Sequence, residues 1–96
     1  MIDNTPPVVT VGPVRRSGAT AEIEFEARDA ASPLRRCDYS LDATGWVPLE
    51  AADGVIDSQR ERFVLSLDKL TPGEHPVVIR VLDSANNAGL AKVVLR

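Results

Sequence analysis

Apolar and polar residues alternate along residues 19–28, ATAEIEFEAR. Because successive side chains of a β-strand point to opposite faces, this period of two predicts an antiparallel strand with one face against a core. Residues 36–42 and 62–68 show the same alternation. The apolar positions of the three segments are Ala19, Ala21, Ile23, Phe25, Ala27, Cys37, Tyr39, Leu41, Phe63, Leu65 and Leu67.

Four further segments have less regular strand patterns. Residues 8–11 follow two prolines and residues 45–49 contain Pro48, which favours edge strands because proline cannot donate a ladder hydrogen bond. Residues 75–82 and 90–95 are apolar at nearly every position, as is typical of strands that are covered on both faces. No segment has a helical period.

The order of these elements predicts an all-β fold. Seven short strands separated by turn signals are typical of a β-sandwich, in which two antiparallel sheets pack face to face. Residues 50–62 are long enough to cross from one sheet to the other. We expect residues 1–6 to be a lead-in and residues 7–96 to form a single sandwich domain. The expected core consists of Val9, Val11, Ile23, Phe25, Tyr39, Leu41, Phe63, Leu65, Leu67, Val77, Ile79 and Val81.

The composition is that of an ordinary globular domain, and the charge pattern and apolar runs argue against a nucleic-acid partner or membrane insertion. The chain has 96 residues, of which 44% are hydrophobic and 26% charged, and its net charge is -3. Its arginine pairs are scattered among acidic residues, whereas nucleic-acid-binding proteins more often have a concentrated basic surface. No apolar run approaches the ~20 residues that span a bilayer. We therefore expect neither a nucleic-acid partner nor membrane insertion.

Several turn segments resemble those of known sandwich modules. Residues 70–75, LTPGEH, together with the strand that follows, resemble the turn and sixth strand of fibronectin type III and related bacterial immunoglobulin-like modules. The segments DNTPPVV, DAASPLRRCDYSLD and LDSANNAG resemble bacterial sandwich modules attached to larger exported proteins. His75 stands where that family has a corner tyrosine, and Trp46 lies on the fourth predicted strand instead of the second.

The resemblance implies both a fold and a role. The fold is a seven-stranded, fibronectin type III-like Greek key, and the role is that of a non-catalytic accessory, spacer or interaction module of a larger bacterial protein. Strand-like sequence that begins near Met1 and continues to Arg96 favours the same interpretation. We therefore expect neighbouring domains of the parent chain as partners, and an extracellular or periplasmic location.

The sequence gives little support for catalytic chemistry. Nucleophilic catalysis requires a nucleophile, a base within hydrogen-bonding reach and a group that orients the base, and His75 is the only histidine. We expect its ring nitrogen to bind nearby backbone, in place of the corner tyrosine. Glu22, Glu24 and Glu26 share one strand face, which is typical of a solvated surface. We therefore expect the chain not to be an enzyme.

Acidic and amide side chains occur in three loops that share one pole in a type III topology. The loops are the lead-in, the loop after the second strand and the loop after the sixth, and they carry the candidate calcium ligands Asp3, Asp29, Asp83 and Asn86. Calcium takes about six to eight oxygen ligands, so this set is chemically suitable. Turn chemistry is the favoured alternative, because Asp and Asn also bond their own backbone and tolerate positive φ. We expect no other cofactor.

Trp46 is the remaining candidate for ligand binding. An exposed aromatic ring on a sheet face stacks on sugars, which makes a carbohydrate- or protein-binding module that uses Trp46 and the loops the alternative function. Trp46 also follows a predicted hairpin turn, where it would instead cover the edge of the core. Because an exposed aromatic residue indicates a site only as part of a patch, the sequence leaves both interpretations open.

Overall fold

The structure, a computed structural model, describes residues 5–51, 56 and 58–96. All seven predicted strands are present, and the described residues contain no helix. No described segment therefore forms a helix long and apolar enough to cross a bilayer. The strands are β1 (Val8–Ser17), β2 (Thr20–Arg28), β3 (Leu34–Leu41), β4 (Val47–Leu49), β5 (Arg60–Leu67), β6 (His75–Asp83) and β7 (Ala88–Leu95).

The strands form two antiparallel sheets that pack as a sandwich. One sheet has three strands in the order β1-β2-β5, and the other has four in the order β4-β3-β6-β7. The chain passes from the second sheet back to the first between β4 and β5, within the segment that the sequence predicted as the crossing. The predicted seven-stranded antiparallel β-sandwich is confirmed.

The first strand is longer than the sequence predicted. Residues 8–11 were expected, but pairing with β2 resumes after an irregularity, with Val11 opposite Phe25 and Val14 opposite Ile23. Two residues of β1 therefore lie opposite one residue of β2, which is a β-bulge. The bulge contains Gly12 and Pro13, and a proline fits there because the extra residues need not donate to the ladder. The fourth strand is shorter than predicted and begins at residue 47.

The core lies between the two sheets, and its centre is a pair of aromatic rings. The rings of Phe25 and Phe63 are stacked, with centroids 4.9 Å apart and planes 12° from parallel. Eight of the twelve predicted core residues are buried. The other four, Val9, Val11, Tyr39 and Leu41, are partly buried and pack against the core. The core also contains residues outside the predicted set, namely Ala21, Ala27, Leu34, Cys37, Ala51, Leu70 and Leu95.

Strand β3 departs from simple alternation. Cys37 faces the core as predicted, with 1% of its surface exposed. On the opposite face, Asp38 is fully buried and Ser40 is 7% exposed. A polar residue on the outer face of a sheet is normally solvated, so other side chains must cover Asp38 from outside the sandwich.

Candidate functional site

The outer face of the four-stranded sheet combines apolar and cationic side chains. The cross-strand pairs Asp38–Arg80 and Arg80–Leu90 place residues of β3, β6 and β7 side by side on this face. Leu90 is 64% exposed and Trp46 is 44% exposed. The residues of this outer face are Arg36, Asp38, Trp46, Pro48, Val78, Arg80, Leu82, Leu90, Lys92 and Val94.

The outer face of the three-stranded sheet is polar by comparison. Its central strand carries Glu22, Glu24 and Glu26, and Arg60 forms an ion pair with Glu26 at 3.1 Å. Val64, opposite Glu24, and Val8, opposite Arg28, are exposed apolar side chains here. A broad, open depression on this face is lined largely by charged side chains and by the β1 bulge. The charges neutralise one another, as expected for the solvated surface that the glutamates predicted.

Asp38 is held at the centre of the outer face of the four-stranded sheet by two arginines. Arg36 donates a hydrogen bond of 2.8 Å to Asp38 Oδ1, and Arg80 donates one of 3.2 Å to Oδ2. A buried carboxylate requires such partners, because an unpaired charge away from water is costly. The cluster therefore carries one excess positive charge.

Trp46 forms part of the same cluster. The guanidinium carbon of Arg80 lies 4.0 Å from the centroid of the Trp46 ring, a cation–π contact. The Arg80 Nε atom is buried and has no hydrogen-bond partner among the described residues. Trp46 thus lies on the outer face of the sheet, within an apolar and cationic patch.

Of the candidate calcium ligands, Asp29, Asp83 and Asn86 lie at the ends of β2 and β6 or in the described loops that follow them. Asp29 follows β2 and Asp83 ends β6, and they are 5% and 0% exposed. Asn86 is exposed and adopts a φ of 66°. Asp3 lies outside the described residues. No group of three or more His, Cys, Asp or Glu side chains suited to a metal occurs in the described part of the chain.

The loop from Asp83 to Asn87 is organised by turn chemistry. Asp83 Oδ1 accepts hydrogen bonds from the backbone N–H groups of Ala85 and Asn87, at 2.9 and 2.8 Å. The Asn86 N–H donates to the Asp83 carbonyl at 3.1 Å. These are the local bonds that aspartate and asparagine make in turns, and Asn86 is the residue with positive φ. The described hydrogen bonds of LDSANNAG are therefore those of a turn.

Hydrogen bonding keeps Asp83 ionised despite its burial. Burial acts to raise the pKa of Asp83, but hydrogen bonds from the Asn87 backbone and side chain and from the Ala85 backbone outweigh it. The pKa of Asp83 is therefore lowered.

His75 binds backbone as the sequence predicted. At the opposite end of β6, its Nε2 atom lies 2.6 Å from the Thr71 carbonyl oxygen and its Nδ1 atom lies 2.8 Å from Asp42 Oδ2. Both ring nitrogens therefore face acceptors. The bond to Thr71 and the carboxylate of Asp42 raise the pKa of His75. Arg16 donates to the same Thr71 carbonyl at 2.9 Å and fixes the turn further.

The residues around His75 have the outline of a catalytic triad that sequence reasoning missed. Thr71 Oγ1 lies 3.3 Å from Nε2, with Asp42 on the other ring nitrogen. A general base must accept the hydroxyl proton at Nε2. Here Nε2 is directed at the shorter contact with the Thr71 carbonyl, and it binds there as a donor. The arrangement therefore serves to hold the turn.

The comparisons with known proteins concern the fold. No protein-family model matches the sequence, and no curated protein matches it. The PKD1 domain of Vibrio anguillarum Epp is similar in structure, with a TM-score of 0.69 over 97% of this chain and 94% of that chain, at 12% identity. The sulfane dehydrogenase SoxCD from Paracoccus pantotrophus has a TM-score of 0.67 at 19% identity. That match covers 86% of this chain and 23% of that chain. Together with the two antiparallel sheets, these likenesses show that the chain is an immunoglobulin-like β-sandwich.

Proposed function

We propose that the chain is a non-catalytic interaction module of a larger, exported bacterial protein, and that it binds a neighbouring domain of that protein. The observation that carries the proposal is the difference between the two outer faces of the sandwich. The resemblance of the turn LTPGEH to that of fibronectin type III modules supports a module of this kind. The resemblance of DNTPPVV, DAASPLRRCDYSLD and LDSANNAG to modules of exported bacterial proteins supports an extracellular or periplasmic location.

The outer face of the four-stranded sheet has the features of a contact surface. Leu90, Trp46 and Val94 are 64%, 44% and 36% exposed. Leu90 and Val94 share a face of β7 on either side of Lys92, and Trp46 stacks on Arg80, the cross-strand neighbour of Leu90. Contiguous exposed apolar surface marks interaction sites, whereas scattered exposed apolar residues do not. The surrounding cations outnumber the single acid, Asp38, which is itself buried. This charge is complementary to a partner with an acidic rim around an apolar centre.

The proposed role as a non-catalytic module rests on His75. In the described residues, His75 Nε2 donates to the Thr71 carbonyl oxygen at 2.6 Å, and Nδ1 faces Asp42. A ring nitrogen that carries a proton cannot accept one from a nucleophile. The neighbouring Thr71 hydroxyl therefore lacks an effective base.

Methyl NMR tests the proposed surface with a control on the opposite face. The chain is labelled on its leucine and valine methyl groups and compared alone and within a longer segment of the parent protein. We expect the Leu90 and Val94 resonances to move in the longer segment and the Val64 resonances to stay unchanged. Equal movement at Val64, or none at Leu90 and Val94, would contradict the proposal.

Carbohydrate binding through Trp46 is the second candidate. It is favoured by the 44% exposed ring and by the nearby Arg36 and Arg80, which donate hydrogen bonds. A sugar would have to stack on the part of the Trp46 ring that Arg80 does not cover. Titration with a neutral glucan and with a polyuronate, followed by Trp46 fluorescence, tests it. The same titrations followed by amide NMR allow a comparison with Trp46→Ala, which has no tryptophan fluorescence. A saturable change in the wild-type chain that Trp46→Ala removes from the NMR spectra would support this function, and no change with either polymer would exclude both sugars as ligands.

A further inference from the structure

Of the four sheet edges in the described part of the chain, three are protected against pairing with another strand. Strand β1 is interrupted by its bulge at Gly12 and Pro13, and β4 has only three residues, with Pro48 in the middle. Strand β7 lies beside β1, and its Gly89 is in close contact with Pro7. Bulges, prolines, short strands and covering segments are the usual means by which sheets keep their edges from pairing.

The fourth edge, β5, is regular and open. It pairs with β2 over eight consecutive residues without a bulge, and it contains neither proline nor glycine. No described strand pairs with its other side. An edge of this kind presents unpaired N–H and C=O groups to any strand that approaches it.

Hydrogen bonds at the start of β5 show which backbone groups face the open side. The Asp29 N–H donates to the Gln59 carbonyl at 2.8 Å, in register with the β2–β5 pairs. Odd-numbered residues of β5 therefore bond to β2, because bonded and non-bonded positions alternate in an antiparallel pair. Arg60 accordingly faces away from β2, and the Ser58 hydroxyl binds both its N–H and its carbonyl, at 3.2 and 2.6 Å. Beyond Arg60, the residues whose backbone groups face the open edge are Arg62, Val64 and Ser66.

This open edge is complementary to itself. Val64 lies at its centre, so a two-fold axis through Val64 places the two Val64 residues opposite each other and Arg62 opposite Ser66 of the other copy. Only this register pairs the three open residues among themselves. It also brings together the two Val64 side chains, which are 42% exposed in the single chain, and apolar cross-strand pairs stabilise a sheet.

The same register pairs opposite charges. It places Arg60 of each copy opposite Asp68 of the other. Asp68 directly follows β5, is exposed and forms no ion pair with any residue that the structure describes. The Arg60 side chain contacts Glu26 but is 69% exposed, so it is accessible to a second carboxylate. Opposite charges at cross-strand positions are stabilising, whereas like charges are not.

We propose that β5 is the interface of a two-fold symmetric dimer of this chain. In the dimer the two β5 strands pair antiparallel about Val64 and join the three-stranded sheets of the two copies into one continuous sheet. Because the open edge is short and the buried area small, the dimer is weak, with a Kd of about 10⁻⁴–10⁻³ M. The proposal is independent of the outer face of the four-stranded sheet, whose strands take no part in it.

Amide NMR of the wild-type chain over a dilution series tests the interface. Between about 1 mM and about 0.02 mM protein, the resonances of Arg62, Val64 and Ser66 should shift along one monomer–dimer curve. Those of Phe63 and Leu65, whose N–H groups bond to β2, should shift less. Spectra that do not depend on concentration would overturn the proposal, as would shifts confined to the four-stranded sheet.

The variant Val64→Lys tests the centre of the interface. The two-fold axis would bring two like charges together, so we expect the Kd to rise about tenfold or more. The matched control is Thr10→Lys, which adds the same charge at an exposed position of the same sheet face but on β1. Circular dichroism establishes that both variants are folded, and sedimentation equilibrium gives their Kd. An equal Kd in the two variants would contradict the proposal.

Charge-reversed variants test the register. Arg60→Asp and Asp68→Arg each create like-charge pairs within their own dimers, and both should dimerise more weakly than the wild-type chain. A mixture of the two restores both ion pairs in a heterodimer. We expect this heterodimer, detected by isotope labelling of one variant, to be about tenfold or more tighter than either homodimer. No gain on mixing would overturn the proposed pairing about Val64.

Discussion

Asp42 Oδ2 lies 2.8 Å from His75 Nδ1, and this contact joins the turn after β3 to the first residue of β6. The other ring nitrogen, Nε2, donates a hydrogen bond of 2.6 Å to the Thr71 carbonyl oxygen. One side chain therefore fastens two turns at the same end of the sandwich. Its second hydrogen bond exists only while the ring is protonated, since a neutral imidazole has one N–H donor.

The contact predicts a pH dependence of stability. The pKa of His75 in the folded chain is raised above its ordinary value of 6.5, through the hydrogen bonds to Thr71 and Asp42. The stabilisation is fully present below the unfolded pKa and is lost as the pH rises through the folded pKa. We expect the free energy of unfolding to decrease from pH 6.5 upwards, as measured by urea unfolding across that range.

Two variants check the origin of this pH dependence. His75→Gln removes the titrating group and should flatten the profile above pH 6.5. Asp42→Asn should weaken the dependence while it keeps the backbone, because asparagine tolerates the positive φ of 54° found at this position. An unchanged profile in both variants would mean that other groups cause the dependence.

The stacked pair Phe25 and Phe63 predicts a large core effect. The rings are 4% and 1% exposed, with centroids 4.9 Å apart. Phe63→Ala or Phe25→Ala should lower the free energy of unfolding by about 3–5 kcal/mol, because each removes buried apolar surface and leaves a cavity. Val64→Ala, a change at an exposed neighbouring position, should alter it by less than about 0.5 kcal/mol. Equal losses of stability in Phe63→Ala and Val64→Ala would contradict the finding that Phe63 faces the core and Val64 faces solvent.

The sandwich and most of its core followed from alternation along single strands. In β2 and β5 the inward residues Ile23, Phe25 and Phe63 are buried as predicted, because one face of each strand meets the other sheet. The second half of β1 was missed, because it follows a bulge at Gly12 and Pro13 that interrupts the alternation.

The polar contacts were harder to predict because they join distant parts of the chain. Alternation placed Asp38 on a solvated face, but Arg80, 42 residues away, covers it. The partner of His75, Asp42, is 33 residues distant. The turn around Asp83 was predictable, because its hydrogen bonds connect residues no more than four positions apart.

The stack of Arg80 on Trp46 gives a spectroscopic prediction. Arg80→Ala removes the guanidinium that lies 4.0 Å from the ring and one of two partners of Asp38. We expect a red shift of Trp46 emission and a loss of about 1–3 kcal/mol in the free energy of unfolding. Arg36→Ala is the matched control, since it also removes a partner of Asp38 but should leave the emission unchanged. Identical spectra for the two variants would contradict the stack.

Gly89 packs closely against Pro7, in the segment before β1. A Cβ atom at this position would overlap the carbonyl oxygen of Pro7. Gly89→Ala should therefore displace the segment before β1 and lower the free energy of unfolding by about 1–3 kcal/mol. The neighbouring exposed change Ala88→Ser should have little effect. Thermal unfolding compares the two, and equal stability would show that the segment moves aside at no cost.

The most direct test of the proposed interaction surface is thiol labelling in the parent protein. Cys37 does not interfere, because it is 1% exposed and burial, with the charge of Asp38, raises its pKa to about 12. Leu90→Cys and Val64→Cys place single accessible thiols on the two outer faces. We predict that joining the module to its neighbouring domains slows labelling at position 90 at least tenfold and leaves the rate at position 64 unchanged. Equal rates at position 90 in the isolated and joined module, or slowing at position 64 instead, would contradict the account.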